Sequence, residues 1–314
     1  DVELRRAEAL HRLSAGEDVV VVAPLAAILQ KVVPKGIFTS FVEKISIGDA
    51  PDRDHLAEKL VSGGYRRLPL VEEEGDFSIR GNVIDVFRPG VPKPYRMLFA
   101  GDEIESIREF DAASQRSGRE LDEFTLIPAR ELILTAEARA RALSNLRDRA
   151  NELDLSRAAR DYLAEMVSGD PESPVNPQLL PLYYTDPGGP QGLDPFLGYL
   201  GSRCIVVFDD PFSLRRAGDR LEEELDRFIK RAKEEEKYCP EKESLYVETE
   251  SIFAHGDGQR LTIESLELDG ASPGETAIRF RTETDLGIGR DRAAVISREE
   301  SILAPVAEKI RGWI

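Results

Sequence analysis

Gly75-Asp76-Phe77-Ser78-Ile79-Arg80-Gly81-Asn82-Val83-Ile84-Asp85-Val86-Phe87 is the stretch that decides the fold. Apolar and polar residues alternate on both sides of Gly81, so two short strands meet at a turn. Phe77 and Ile79 share one face, with Ser78 and Arg80 on the other. After the turn, Ile84 and Val86 share a face, opposed by Val83, Asp85 and Phe87. The next strands are expected at Tyr95–Ala100 and Glu103–Phe110, separated by Gly101-Asp102. In the first, Tyr95, Met97 and Phe99 oppose Arg96 and Leu98. In the second, Ile104 is grouped with Arg108, and Ile107 with Glu105 and Glu109. Before the hairpin, Tyr65–Val71 reads as a strand and Glu72–Asp76 as a turn. Short strands joined by short turns argue an antiparallel sheet. It packs on a helix carrying Leu56 and Leu60, capped by Asp52 or Asp54 and stopped by Gly63-Gly64.

One side of this sheet has Arg66, Arg67, Arg80, Arg96 and Arg108 available, with Asp85, Asp102 and Glu105 as pairing partners. Three readings stay open at this level. The arginines are surface ion pairs of small consequence, or a protein-docking face in which Phe87 is either anchor or core, or a nucleic-acid face. The charge balance weighs against the last. The 314 residues carry 42 Lys and Arg against 59 Asp and Glu, a net charge of −17, whereas nucleic-acid binders usually carry a basic footprint.

Outward from the sheet, the pattern becomes α/β. Leu4, Ala7, Leu10 and Leu13 fall at helical spacing. Val19–Ala23 is a β-branched run suited to a strand covered on both faces. A helix follows Pro24, with Leu25, Ile28, Leu29 and Val32 as its apolar side, and Phe38–Ile47 is expected to be extended. Beyond the sheet, Glu137–Ala150 and Leu153–Val167 read as helices. Pro171–Pro195 is an irregular connection. Cys204–Phe208 is a second buried strand that would join residues 19–23 in one sheet. Asp209-Asp210 could hold magnesium after such a strand; a turn or cap is the plainer role. Leu214–Tyr238 is helical with an apolar stripe at Leu221, Leu225, Phe228, Ile229 and Ala232. Leu245–Val247, Leu261–Leu268 and Ala277–Phe280 read as strands, and residues 300–311 as a last helix.

Catalytic signatures are missing. The sequence has no G-x-x-x-x-G-K-[ST], no G-x-G-x-x-G and no G-x-S-x-G. His11, His55 and His255 are dispersed, and Cys204 and Cys239 stand alone, so neither a metal cluster nor a disulfide framework is expected. The composition, 41% apolar and 32% charged, is that of a soluble globular chain in a reducing compartment, without a membrane span. Asp1 in place of Met and a strand-like Trp313-Ile314 end suggest a piece of a longer protein.

Taken in order, Gly64-Tyr65-Arg66-Arg67, Gly75–Gly81, Val83–Phe87, Arg96 with Phe99–Arg108, Phe110-Asp111 with Ser114-Gln115-Arg116, and Pro128-Ala129-Arg130-Glu131 resemble the amino-terminal UvrB-like module of the bacterial transcription-repair coupling factors, the Mfd family. The resemblance is strongest over residues 1–135. UvrB itself is the nearest competitor, but its R-x-R-G places an arginine where Ser78 stands, and it needs a phosphate loop. A UvrB-like repair fragment and a DNA-binding scaffold are the alternatives retained.

The resemblance implies a degenerate helicase-like, UvrB domain 1-like parallel-sheet domain over residues 1–45 plus 135–314. A small α+β antiparallel domain, UvrB domain 2-like, is inserted at 46–134. It implies a non-catalytic module that recruits UvrA through Arg67, Arg80 and Arg96, with Arg66 and Phe87 as neighbours, and that binds no cofactor or metal itself. ATP and Mg belong elsewhere in the full-length protein, where a double-stranded DNA translocase displaces stalled RNA polymerase. An intramolecular contact with the carboxy-terminal region and a cytoplasmic location complete what it implies.

Overall fold

The hairpin forms as the alternation requires. In the computed structural model β3 (Asp76–Arg80) and β4 (Val83–Val86) pair antiparallel, with Phe77 opposite Val86 and Ile79 opposite Ile84. Gly81 turns the chain at φ +61°, a conformation that costs a side-chain-bearing residue energy. Residues 2–169, 176–186, 192–201, 204–235, 237–254 and 259–263 are described, all within one compact unit spanning residues 1–263.

Around the hairpin runs this element order. Helices α1 (Val2–Ser14), α2 (Leu25–Leu29) and α3 (Lys35–Phe41) precede β1 (Glu43–Ser46) and α4 (Arg53–Ser62). Next come β2 (Arg66–Arg67), β3, β4, β5 (Tyr95–Ala100), β6 (Glu103–Phe110), β7 (Ser117–Leu121) and β8 (Glu123–Leu126). The remainder is α5 (Ala136–Glu152), α6 (Arg157–Ser168), α7 (Leu180–Tyr184), β9 (Ile205–Asp209), α8 (Pro211–Glu234), α9 (Lys242–Leu245), α10 (Thr249–Phe253) and β10 (Gln259–Ile263).

Six strands form one sheet in the order β2-β3-β4-β5-β6-β7. All its pairs are antiparallel except β2 with β3, which run parallel. β1 and β8 make a separate antiparallel ribbon, and β9 and β10 a parallel pair. The chain is therefore mixed α/β, with both kinds of ladder present.

Two clusters of buried side chains lie on either side of α3. One gathers the inner face of the large sheet (Phe77, Ile84, Val86, Met97, Phe99, Ile107) with Leu56 and Leu60 of α4 and with Phe41 and Ile45. Asp52 caps α4, its carboxylate accepting from the backbone N–H groups of Asp54 and His55. The buried Tyr65 hydroxyl donates to the Ile127 carbonyl at 2.6 Å, so its phenol is not left unpaired. The second cluster joins Ala7 and Leu10 of α1, Val32, Val33 and Phe38 to α5, α6 and α7. Tyr184 and Tyr199 are its polar ties: their hydroxyls donate to Ile133 and Val33 carbonyls at 3.1 and 2.8 Å.

Several expectations are corrected. Val20, Val21 and Val22 are exposed in irregular backbone, so residues 19–23 form no strand. β9 pairs with β10 instead, and Ile205 and Val207 are exposed; the parallel pair is not a buried one. Phe38 lies in helix α3, because Pro34 starts a new helix here rather than ending one. The first strand of the large sheet shrinks from residues 65–71 to β2. Leu245–Val247 is the end of α9 plus a single bridge from Tyr246 to Gln30. On α8 only Ala232 of the expected stripe is buried, and Phe228 is exposed. Ile107 is buried beside Ile104 because the β5–β6 pairing jumps from Leu98–Ser106 to Phe99–Ile104, and the bulge at Glu105 flips the alternation. Asp210 caps α8, its carboxylate accepting from the Ser213 N–H. His255, residues 264–268 and 277–280, Gly287, Gly289 and the expected 300–311 helix lie outside the described residues.

Candidate protein-docking face

The outer face of the six-stranded sheet is built by register. Ser78 of β3 is opposite Asp85 of β4, Asp85 opposite Arg96 of β5, Arg96 opposite Arg108 of β6, and Arg108 opposite Glu120 of β7. Directly opposed residues share a face. One row of polar side chains therefore crosses five strands. Arg80 lies two residues beyond Ser78 on the same face, and Arg66, paired with Asp76, lies at its other end.

Two aspartates on this face are buried, and each holds arginine. Asp85 has no exposed side-chain surface. Its Oδ1 accepts from Arg96 Nε at 2.7 Å, and its Oδ2 from Arg96 Nη2 at 2.9 Å and Arg80 Nη2 at 2.5 Å. Such a two-pronged, charge-assisted contact fixes direction as well as distance. Asp76 Oδ1 accepts from Arg66 Nε at 3.0 Å and Nη2 at 2.7 Å, while its Oδ2 takes the Glu72 and Glu73 N–H groups. Hydrogen bonding to Asp85 raises the Arg96 pKa above the ordinary guanidinium value. Burial works against the charge of Arg66, but Asp76 and Glu73 more than offset it and its pKa rises as well.

A loop is tied to this face beside Asp85. The Leu68 N–H donates to Phe77 O, the Ser78 hydroxyl donates to Pro69 O at 3.1 Å, and Gln115 Nε2 donates to Val71 O at 3.1 Å. The β2–β3 loop is thus pinned across the strands from both sides. Gln115 sits in the left-handed region, at φ 59°. That strained backbone lets its carbonyl accept from Arg96 Nη1 at 3.1 Å. Arg96 also stacks on Phe110, 4.3 Å from the ring centroid.

Three of the five expected residues, Arg66, Arg80 and Arg96, are held by these contacts. Arg80 and Arg96 meet at Asp85. Arg66 stands apart, at Asp76, two residues or about 7 Å along β3 from the Ser78–Asp85 rung. It lines an open polar cleft of about 510 Å³ with Glu3, Arg5, Glu73, Glu74 and Arg130. Phe87 is half-buried against the sheet core. Arg67 is exposed on edge strand β2, and strand alternation directs it away from Arg66. Arg108 is paired with Glu120 at 2.7 Å. Gln115 and Ser117 were not expected here. Their part in the face comes from a turn 19 and 21 residues from Arg96, and no local pattern announces it.

Among the described residues, no group of three or more His, Cys, Asp or Glu side chains is disposed to hold a metal ion, and no helix is long and apolar enough to cross a membrane.

Comparison with known proteins finds similarity across this face. Residues 44–132 match the UvrB interaction domain. Over 303 residues, 93% of the chain, the sequence is 35% identical to a transcription-repair-coupling factor of Myxococcus xanthus. Similar proteins of the same description occur in Bacillus subtilis, 30% identical over 76% of the chain, and in Escherichia coli, 26% identical over 81%. The chain spans 24%, 20% and 21% of the lengths of these three relatives.

Proposed function

This chain carries a UvrB interaction domain and is homologous over most of its length to the transcription-repair-coupling factors, and from that relationship we propose that it is the UvrA-recruiting module of such a factor. The observation that carries the proposal is the arginine face anchored on Asp85 and Asp76. It lies wholly within residues 44–132 and presents guanidinium groups from a rigid sheet. Arginine fixed in a fork geometry is a frequent interface anchor.

The module acts by binding alone. Residues 46–134 form the recruiting domain, inserted into a domain made of residues 1–45 and 135–314. The parts of the full-length protein beyond this chain hold ATP and Mg, move on double-stranded DNA and engage RNA polymerase, in the cytoplasm.

The test is a binding isotherm of the chain with UvrA, run beside Arg80→Glu and Arg67→Glu, with circular dichroism matched. Saturable binding that charge reversal abolishes supports the proposal. Equal affinity of the variants, or no binding by the unsubstituted chain, overturns it.

A further inference from the structure

The two arginines that share Asp85 are not equivalent. Arg96 has five N–H donors, and the chain accepts every one. Nε goes to Asp85 Oδ1, and Nη2 to Asp85 Oδ2 and Gln115 Oε1 (3.4 Å). Nη1 goes to the Gln115 carbonyl and to Ser117 Oγ (3.4 Å). Its side chain is 20% exposed and one guanidinium face lies on Phe110. Arg80 is 43% exposed and gives Asp85 a single donor from Nη2. Its other four N–H groups have no acceptor among the described residues. One buried carboxylate against two guanidinium groups also leaves a net positive charge, and its accessible part is Arg80.

We infer that Asp85 is a positioning residue that aims Arg80 at a carboxylate of the partner, and that Arg96 braces Asp85 from within the chain without touching the partner. The inference rests on the proposed recruitment of UvrA and assigns roles inside that face. Asp85 cannot swing away, because Arg96 holds both its oxygens. Arg80 is therefore tethered at one corner of its fork while the rest stays available. Preset donors of this kind reduce the side-chain ordering that binding must otherwise impose.

A double-mutant cycle with UvrA and the 314-residue chain separates the roles. Arg80→Ala is expected to weaken binding roughly ten- to a hundredfold with an unchanged thermal melt. Asp85→Asn is expected to weaken binding too, but to add little in the Arg80→Ala background, since its effect passes through Arg80. Additive losses, or an Asp85→Asn chain that folds and binds as before, overturn the inference while the recruitment proposal stands. Should Asp85→Asn not fold, Arg80→Lys decides: a lysine held by Asp85 has no fork left to offer, so at least about tenfold weaker binding is expected, and unchanged binding overturns the inference. No binding by the unsubstituted chain overturns both.

Discussion

Arg96 and Arg108 stand directly opposite one another on β5 and β6, two like charges in cross-strand register. Such a pair is unfavourable by itself. It persists because each guanidinium has a carboxylate on its far side, Asp85 for Arg96 and Glu120 for Arg108. The two ends differ in depth: Asp85 is buried, while Glu120 is exposed. Replacing Arg108 by Thr should therefore leave stability within about 0.5 kcal/mol of the original, or raise it. Replacing Arg96 by Ala should cost roughly 2–3 kcal/mol, because Asp85 keeps only Arg80. Urea unfolding of both variants measures the contrast, and equal losses would contradict it.

Gly63 closes α4 where no side chain fits. A Cβ there would lie 2.3 Å from the Phe41 ring, and the Gly63 carbonyl already accepts from the N–H groups of Ala129 and Arg130. Gly63→Ala should destabilise the sheet cluster by about 1–3 kcal/mol, the usual result of overpacking. The expected sign is a lower urea midpoint, partly restored by Phe41→Leu. A midpoint at or above that of the parent would show that the ring gives way freely.

His11 of α1 is half-buried, its Nδ1 has no hydrogen-bond partner, and burial followed by the nearby Arg88 cation depresses its pKa below the ordinary 6.5. Arg12 acts in the same direction, and Glu8 and Glu17 oppose it. The folded state therefore disfavours the imidazolium. The unfolded chain binds the proton more readily, so this contribution is complete above pH 6.5 and is lost as pH falls through the depressed value. The parent should lose more thermal stability between pH 7.5 and pH 5 than His11→Gln does. Parallel pH profiles would rule the effect out.

Helix α8 is held at Gly218, where a Cβ would lie 2.4 Å from Thr249 Cγ2. The Thr249 hydroxyl donates to Glu222 Oε1 at 2.8 Å, one turn further along. Gly218→Ala favours the helix intrinsically but separates it from α10. Faster amide exchange in α10 with α8 protected is the expected outcome, and slower exchange in both would refute it.

The sequence exposes most where punctuation is strong. β5 and β6 are legible to the residue because Pro94, Gly101-Asp102 and Asp111 mark their ends. It misleads where a tertiary partner decides. Val19–Ala23 has the composition of a covered strand, yet Val20, Val21 and Val22 lie exposed. Simple alternation assigns Ile107 to the wrong face because a bulge at Glu105 has no signature of its own. The arginines were visible as residue types, and so was Asp85 as their partner. Which of them is spent internally was not visible, since the acceptors on Gln115 and Ser117 arrive from a turn whose approach depends on the whole sheet.

The β1–β8 ribbon has a consequence for handling this segment. Glu43 faces Leu126 and Ser46 faces Glu123, so the chain enters and leaves the sheet-bearing part through two adjacent strands. Cut points on either side lie about 5 Å apart, a gap that a tight loop of a foreign scaffold already spans. The arginine face should therefore be portable as a cassette. Tension applied at those same two points would peel the ribbon one rung at a time rather than shear it.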